Sequence, residues 1–557
     1  MARVLLRVCV LVLGAVIALS AAGPVVQAQQ RRDSVTIGMA QEPDIIGPFS
    51  IMAATGVIHN VIFGYAAPFN EKWVRVPVMA EKLPTLKDGD WQVLPNNKMR
   101  VTWKLKRGFT WHDGKPVTAL DWRFSYGLMR NPRTPSTARF VVNKVDNILV
   151  TNMNDPYEMV VQWNELWPFA GSEPFGAAYA LPRHLLERPY LSNPENLRAE
   201  PYFRLPVANG PYRMTEWVAG SHMSFEAYDK WPLGAPAIKK VTIRFILDST
   251  VLQANAITGG VDATEISNFS CLQMEQISQR AARVNAHYRE AMVWERIDFN
   301  LDDVWLKDKR VRQAIAYALD RKALAEVSCS GGRQPVANSW MAPGHPAANP
   351  NLKKYDLDAA RARSLLAEAG FRPGPDGFLR DGTGKRVEMS ISTTAGNSIR
   401  EQIQQIIKEQ LRQVGIDVRI DNRPATVFFG TYTTRRQFPH MAMYASLFTP
   451  ESLPHDRFHS IGIPTLANNW SGNNRVGWRH AENDQIWDQI IAELDVEKRN
   501  ALLRKQQEIF AEELSSLSLY FRLDLTTFPK AMRNVKPVGL GTYYLPWNIW
   551  QWRWGDQ

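Results

Sequence analysis

His455-Asp456-Arg457-Phe458-His459 is the stretch of this chain whose residue types and spacing come nearest to catalysis. Histidines at i and i+4 share one face of a helix, so both imidazoles can reach a single zinc ion while a neighbouring acid serves as general base. That arrangement would make a secreted zinc-dependent hydrolase using His455 and His459. Asp456, however, stands where the metalloprotease pattern has Glu, and no third ligand follows at a characteristic spacing. The favoured reading of the pair is therefore polar loop residues near a cleft. His112-Asp113 is a second acid–base pair, but Trp111 before it and Gly114 after it read as a hydrogen-bonded turn. The chain has no G-x-S-x-G elbow, no P-loop and no G-x-G-x-x-G. It reads as a non-enzyme with no cofactor and no metal.

The elements that must position these residues are legible from periodicity. Val101, Trp103 and Leu105 alternate as on a half-buried strand, Arg107-Gly108 turns it, and Phe109 and Trp111 resume the alternation. Thr118 with Asp121 three residues on is the acidic variant of a capping box, which opens a helix burying Trp122, Tyr126 and Met129. Val311, Ile315, Ala318 and Leu319 recur at helical spacing, and Asp358 caps a helix that Gly370 ends. Ile399, Ile403, Ile407, Leu411 and Val414 line one helix face before Gly415, and Ile416, Val418 and Ile420 alternate after it. Helix, glycine stop, strand is the unit of an α/β lobe. Two amphipathic helices follow at about 482 to 494 and 497 to 514.

The N-terminus reads as an export signal: Arg3 and Arg7, an apolar run from Val8 to Leu19, and the small residues Val26 and Ala28, with cleavage expected after Ala28. The run is too short to span a bilayer, and Cys9 within it lacks a lipobox. Removing 28 of 557 residues leaves a long chain able to build a large core. Cys271 and Cys329 then remain, to pair or to stay buried as thiols. The formal net charge of +11, two units of it in the leader, marks a solvated basic face. No basic run carries stacking aromatics, which excludes nucleic acid as a partner.

The block Trp103 to Met129 closely resembles the signature of the solute-binding proteins of ABC importers, family 5, the extracytoplasmic group that includes dipeptide- and oligopeptide-binding proteins. Further blocks follow in the family's order: Pro77 to Leu86, Asn209 to Trp217, Phe299 to Leu324 and Tyr355 to Phe371. The resemblance implies an α/β, two-lobed periplasmic-binding-protein-like (type II) fold with an extra subdomain inserted in the first lobe. On that pattern residues 1–28 are the signal peptide, 29–75 and 205–296 belong to lobe one, and 76–204 form the inserted subdomain. Residues 297–523 make lobe two, and 524–557 return to lobe one. It also implies a periplasmic monomer that captures a solute between lobes, closes by hinge motion, and delivers it to the transmembrane subunits of an ABC permease.

In peptide-binding members of that family, a second-lobe carboxylate pairs with the peptide's ammonium. The corresponding stretch here, Met443 to Pro450, has Leu447 or Phe448 in its place, with Glu451 or Asp456 as substitutes from a shifted loop. Burying an ammonium against Leu or Phe would cost several kcal/mol or more. The ligand is therefore expected not to depend on a free α-ammonium, which favours an oligosaccharide, opine-like or aromatic-acid solute over a simple peptide, with a metal chelate as a further class. The expected ligand-binding residues are Phe49, Tyr65, Trp340, Phe428, Tyr432, Arg435, Tyr444, Phe448 and Trp470, with Phe429, Arg436 and Trp478 as neighbouring candidates. Aromatic faces stack on rings, and Arg435 can grip a carboxylate through two hydrogen bonds.

Overall fold

The computed structural model describes residues 33–50, 52–134, 139–175, 179–266, 269–424, 427–468, 470, 472–539 and 544–555. The leader expected at 1–28 lies outside the described residues. Among the described residues no helix is long and apolar enough to cross a membrane.

Alternating apolar residues build the first half. β1 (Ser34–Met39) runs parallel to β8 (Lys240–Phe245) and β9 (Ala263–Glu265), while β6 (Tyr212–Val218) and β7 (His222–Ala227) add antiparallel beside β8. A separate antiparallel sheet holds β2 (Trp91–Val93), β3 (Met99–Lys104), β4 (Val145–Val150) and β5 (Glu158–Trp163), in the order β2-β3-β5-β4. The helix Ala119–Arg130 buries Trp122, Tyr126 and Met129, as its spacing predicts. The Asp121 carboxylate accepts the Thr118 N–H at 2.9 Å, and so closes the expected capping box.

In the second half β13 (Glu388–Ser392) lies between β14 (Asp417–Ile420) and β15 (Met441–Leu447), all parallel, over the helix Ser398–Gln413. The hairpin β11 (Arg372–Pro373) with β12 (Leu379–Arg380) stands apart, as does the C-terminal pair β17 (Met532–Arg533) and β18 (Arg553–Trp554). Gly415 adopts φ +85°, the left-handed conformation that ends the helix and returns the chain as β14.

Two long strands, β10 (Val284–Phe299) and β16 (Ser516–Pro529), join the halves into one ten-stranded sheet ordered β14-β13-β15-β10-β16-β9-β1-β8-β7-β6. Ile297 and Leu517 sit in the second-lobe core, whereas Phe528 reaches the first. Their ladder is interrupted between Glu290 and Trp294, and bulges of this kind bend and twist a strand. The bend therefore falls where the chain passes between lobes. A third cluster of Phe69, Trp294, Trp340, Phe448 and Trp547 bridges the two halves. Arg75, paired within its own half to Glu173 at 2.5 Å, reaches across to Glu451 at 2.6 Å.

Cys271 and Cys329 form a disulfide, with Cα atoms 5.1 Å apart. Cys271 opens the helix Cys271–Arg280, which packs beside the first half of β10. Cys329 ends the helix Arg321–Ser328, whose Leu324 and Ala325 lie in the second-lobe core. The covalent link thus spans the junction, next to an Arg333–Glu275 ion pair at 2.6 Å.

Candidate functional site

The second-lobe wall is built on the register of β10 against β15, which sets Arg296 opposite Tyr444. The Arg296 guanidinium lies between two rings, 4.4 Å from the Trp294 centroid and 4.2 Å from that of Tyr444. Its Nε donates to Asp298 Oδ1 at 2.6 Å, and the Tyr444 hydroxyl donates to Asp298 Oδ2 at 2.5 Å. Ser516 Oγ adds a third donor at 2.7 Å. Burial opposes ionisation of Asp298, but Arg296, Arg457 and the Tyr444 hydroxyl together outweigh it and hold the carboxyl below its ordinary value. Arg296 and Asp298 are thus a satisfied pair that fixes the Tyr444 ring.

Arg457 meets the same group without being satisfied by it. The guanidinium has no hydrogen-bond or ion-pair partner among the described residues, and burial, then the neighbouring Arg296 charge, draws its pKa down to about 10. Arg475 stands nearby, 5.9 Å over the Tyr444 ring, with Nη1 donating to Thr433 Oγ1 at 3.0 Å. Its Nε is buried and unpaired. Phe428 and Phe429 present their edges to Tyr444 at 5.7 and 5.8 Å. A half-enclosed cation beside aromatic edges is suited to a carboxylate, since an Arg fork pairs with it through two hydrogen bonds.

Charge of the opposite sign gathers at the junction of the lobes. A narrow, largely enclosed cavity is lined by Glu265, His287, Arg289, Asp524, Thr526 and Tyr544. Glu265 accepts the backbone N–H groups of Leu545 and Ile266 at 2.9 and 3.0 Å. Burial, then the Asp524 charge, raises its carboxyl to about 7. Asp524 has no hydrogen-bond or ion-pair partner among the described residues, and burial lifts it to about 6 against the pull of Arg289. His287 Nε2 and Thr526 Oγ1 are buried there and make no hydrogen bond among the described residues. Unpaired polar atoms around one cavity make a place for water or a cationic group.

The structure brings together Phe428, Tyr432 and Tyr444 in one buried cluster with Phe438. Tyr65 lies at the boundary of the first-lobe and bridging cores, its hydroxyl accepting from Asn60 Nδ2 at 3.1 Å. The other expected residues are not members of that cluster. Trp340 is closed in by Phe448, Phe458 and Trp487, and its indole N–H donates to Gln506, so packing uses both faces. Trp478 is buried in the same core. Phe49 is buried against Phe203, and Phe448 against Trp294. Arg435 is exposed, and Arg436 is bound to Asp302. Trp470 sits half-buried in a loop at φ +58°. Of the substitute acids, Glu451 is taken by Arg75, and Asp456 accepts from Asn473 Nδ2 at 2.6 Å. Of the two residues in the carboxylate's place, Leu447 is 62 % exposed and Phe448 is buried.

Arg457, Arg475, Glu265 and Asp524 escape a reading of motifs because each is an isolated charge in its own segment. Arg457 alone carried a signal, lying between the two histidines already singled out.

His455 and His459 do converge, their rings 4.5 Å apart, with Asp488 Oδ1 3.7 and 3.5 Å from their Nε2 atoms. Asp456, the base that the hydrolase reading needs, accepts a hydrogen bond from Asn473 Nδ2 at 2.6 Å. His112 and Asp113 are likewise a turn, with His112 Nε2 3.0 Å from the Gly210 carbonyl and Asp113 2.6 Å from His184.

Residues 76–461 match the family described as bacterial extracellular solute-binding proteins, family 5 Middle. The chain is 24 % identical over 514 residues to the oligopeptide-binding protein AppA of Bacillus subtilis (strain 168), covering 91 % of this chain and 89 % of the relative. Among solved structures it resembles the oligopeptide-binding protein of Thermus thermophilus complexed with a pentapeptide, at 29 % identity and TM-score 0.75, over 94 % of this chain and 97 % of that one. NikZ of Campylobacter jejuni in complex with Ni(L-His) shares the fold at TM-score 0.74 and 22 % identity, over 94 % and 99 % of the two chains.

Proposed function

Because the chain belongs to family 5 of the bacterial extracellular solute-binding proteins, we propose that it serves an ABC importer by capturing a carboxylate-bearing organic solute, a short peptide above all, between its two lobes. The observation that carries the ligand class is Arg457, a half-buried guanidinium with no hydrogen-bond or ion-pair partner among the described residues, near Asp298, Tyr444 and Arg475. An unpaired charge in such a place costs several kcal/mol until an anion joins it. Asp524 and Glu265 supply the complementary acid at the lobe junction, which replaces the missing 447–448 carboxylate as a seat for an ammonium group. Asp524 faces Arg289 on β10, and Arg296 lies seven positions further along that strand. At about 3.3 Å per residue, less the bulge, the two charges stand on the order of 15–20 Å apart, the reach of an extended peptide of about four to six residues. Similarity to oligopeptide-binding proteins supports this reading over an oligosaccharide.

In the same proposal residues 29–75, 205–296 and 524–557 form lobe one, 76–204 its inserted subdomain, and 297–523 lobe two. A monomer exported by the leader closes over the solute, performs no chemistry on it, and hands it to the permease subunits.

Thermal-shift screening of the mature chain tests the ligand class. Peptides of four to six residues should stabilise it, C-terminal amidation should weaken them at least tenfold, and Arg457→Met should erase the difference between acid and amide. Neutral oligosaccharides stabilising wild type and Arg457→Met alike would defeat the proposal.

A further inference from the structure

The solute cleft leaves one convergent set of side chains unused. His455 opens the short helix His455–Phe458 and His459 caps its end, on either side of Arg457, and Asp488 reaches them from the helix Ala481–Ala492. One ligand atom from each of the three lies within 4.8 Å of the others. A tetrahedral zinc site with bonds of about 2.0–2.1 Å places its ligand atoms about 3.3–3.5 Å apart. The two histidine-to-carboxylate distances, 3.5 and 3.7 Å, therefore need to close by only a few tenths of an ångström. His455 Nε2 is buried and makes no hydrogen bond among the described residues, with Asp488 Oδ1 3.7 Å away. The fourth side of the site is open through Asp488, whose side chain is 65 % exposed.

We propose that His455 Nε2, His459 Nε2 and Asp488 Oδ1 bind a divalent transition-metal ion of the zinc, cobalt or nickel kind, with water completing its coordination. The imidazole and carboxylate donor set suits these ions and not calcium or magnesium, which take oxygen ligands. His459 must adjust. Its Nδ1 now accepts the Ile461 N–H at 2.9 Å, so the neutral ring carries its proton on Nε2. On metal binding that proton leaves Nε2 and one occupies Nδ1, which gives up the Ile461 contact. Asp484 Oδ1, 4.0 Å from Nδ1, is the acceptor toward which it turns. A carboxylate behind a metal-bound histidine is the usual orienting arrangement.

The placement gives the ion a role in the transport site. Residues i and i+4 of a helix share a face, and i+2 lies roughly opposite. An ion on the His455 and His459 side therefore pins the segment that holds Arg457 toward Tyr444 and joins it to the helix Ala481–Ala492. The inference stands independently of which solute the cleft takes.

Isothermal titration of Zn2+ into the metal-stripped mature chain, with Co2+ absorption as a second readout, tests the site. One ion per chain is expected, with the visible bands of Co2+ in a histidine-containing site. Asp488→Asn, a change at an exposed position that leaves the core untouched, should weaken binding at least tenfold, as should His459→Gln. Asp484→Asn removes no ligand and should cost about 10- to 100-fold if it orients His459. Zinc should raise the melting temperature of wild type but not of Asp488→Asn. Absence of saturable binding, or wild-type affinity retained in both Asp488→Asn and a His455→Gln/His459→Gln double variant, would overturn the proposal, the latter by locating the ion elsewhere.

Discussion

At the scale of single residues, the two signs of charge in the cleft differ in what they do with pH. Arg457 stays cationic throughout the physiological range at a pKa of about 10, so its attraction for a carboxylate does not vary between pH 5 and 8. Glu265 and Asp524 do vary. Burial raises Glu265 from 4.5 to about 7 and Asp524 from 3.8 to about 6, so the folded protein holds these protons more tightly than the unfolded chain. Their contribution to stability is present below about pH 4 and is lost as pH rises through about 6 to 7. Urea titrations of the solute-free chain should show that loss, and Glu265→Gln should flatten it by about 1–3 kcal/mol between pH 5 and 8. An unchanged pH slope in the variant would mean that Glu265 is ionised at neutrality. Neither acid was visible as a site in the sequence, since each sits in an ordinary strand pattern and becomes unusual only by enclosure.

At the scale of elements, local rules served well wherever one face meets a core. The helix Ser398–Gln413 was legible because Ile403, Ile407 and Leu411 fall at one spacing, and its end was legible because Gly415 follows. That glycine is at φ +85°, and a Cβ there would meet Leu379 Cγ at 2.9 Å and the Gly377 carbonyl at 3.4 Å. Gly415→Ala should therefore destabilise the chain by about 1–2 kcal/mol, through left-handed strain added to the contact. A denaturation midpoint within error of wild type would show that the turn relaxes. The interruption of β10 between Glu290 and Trp294 was not legible, because a bulge is a mismatch against a partner strand and leaves no period of its own. The same limit explains Trp340 and Trp478. Loop position made them candidate stacking surfaces, but folding of those loops onto the helices Ala481–Ala492 and Val496–Glu513 made them core.

At the scale of the whole molecule, the two lobes share one sheet, an ion-pair clamp at Arg75 and a disulfide across the junction. The Cys271–Cys329 link closes 58 residues of chain, so a Cys271→Ser/Cys329→Ser variant should lose about 2–4 kcal/mol of stability. If the bridge also restrains the hinge, small-angle scattering without solute should show the variant more extended than wild type, and saturating solute should compact both. Equal profiles in the solute-free forms would confine the disulfide to a stabilising role. The sequence by itself determined the family, the α/β class and those helices and strands whose apolar spacing is regular, because these follow from motifs and periodicities that neighbouring residues carry among themselves. Only the tertiary structure decided which charges go unpaired in the cleft, which aromatic rings become core and whether two cysteines 58 positions apart meet. Those outcomes depend on how lobes and loops dock across long separations, where burial and the presence or absence of a partner, not residue type, set what a side chain can do.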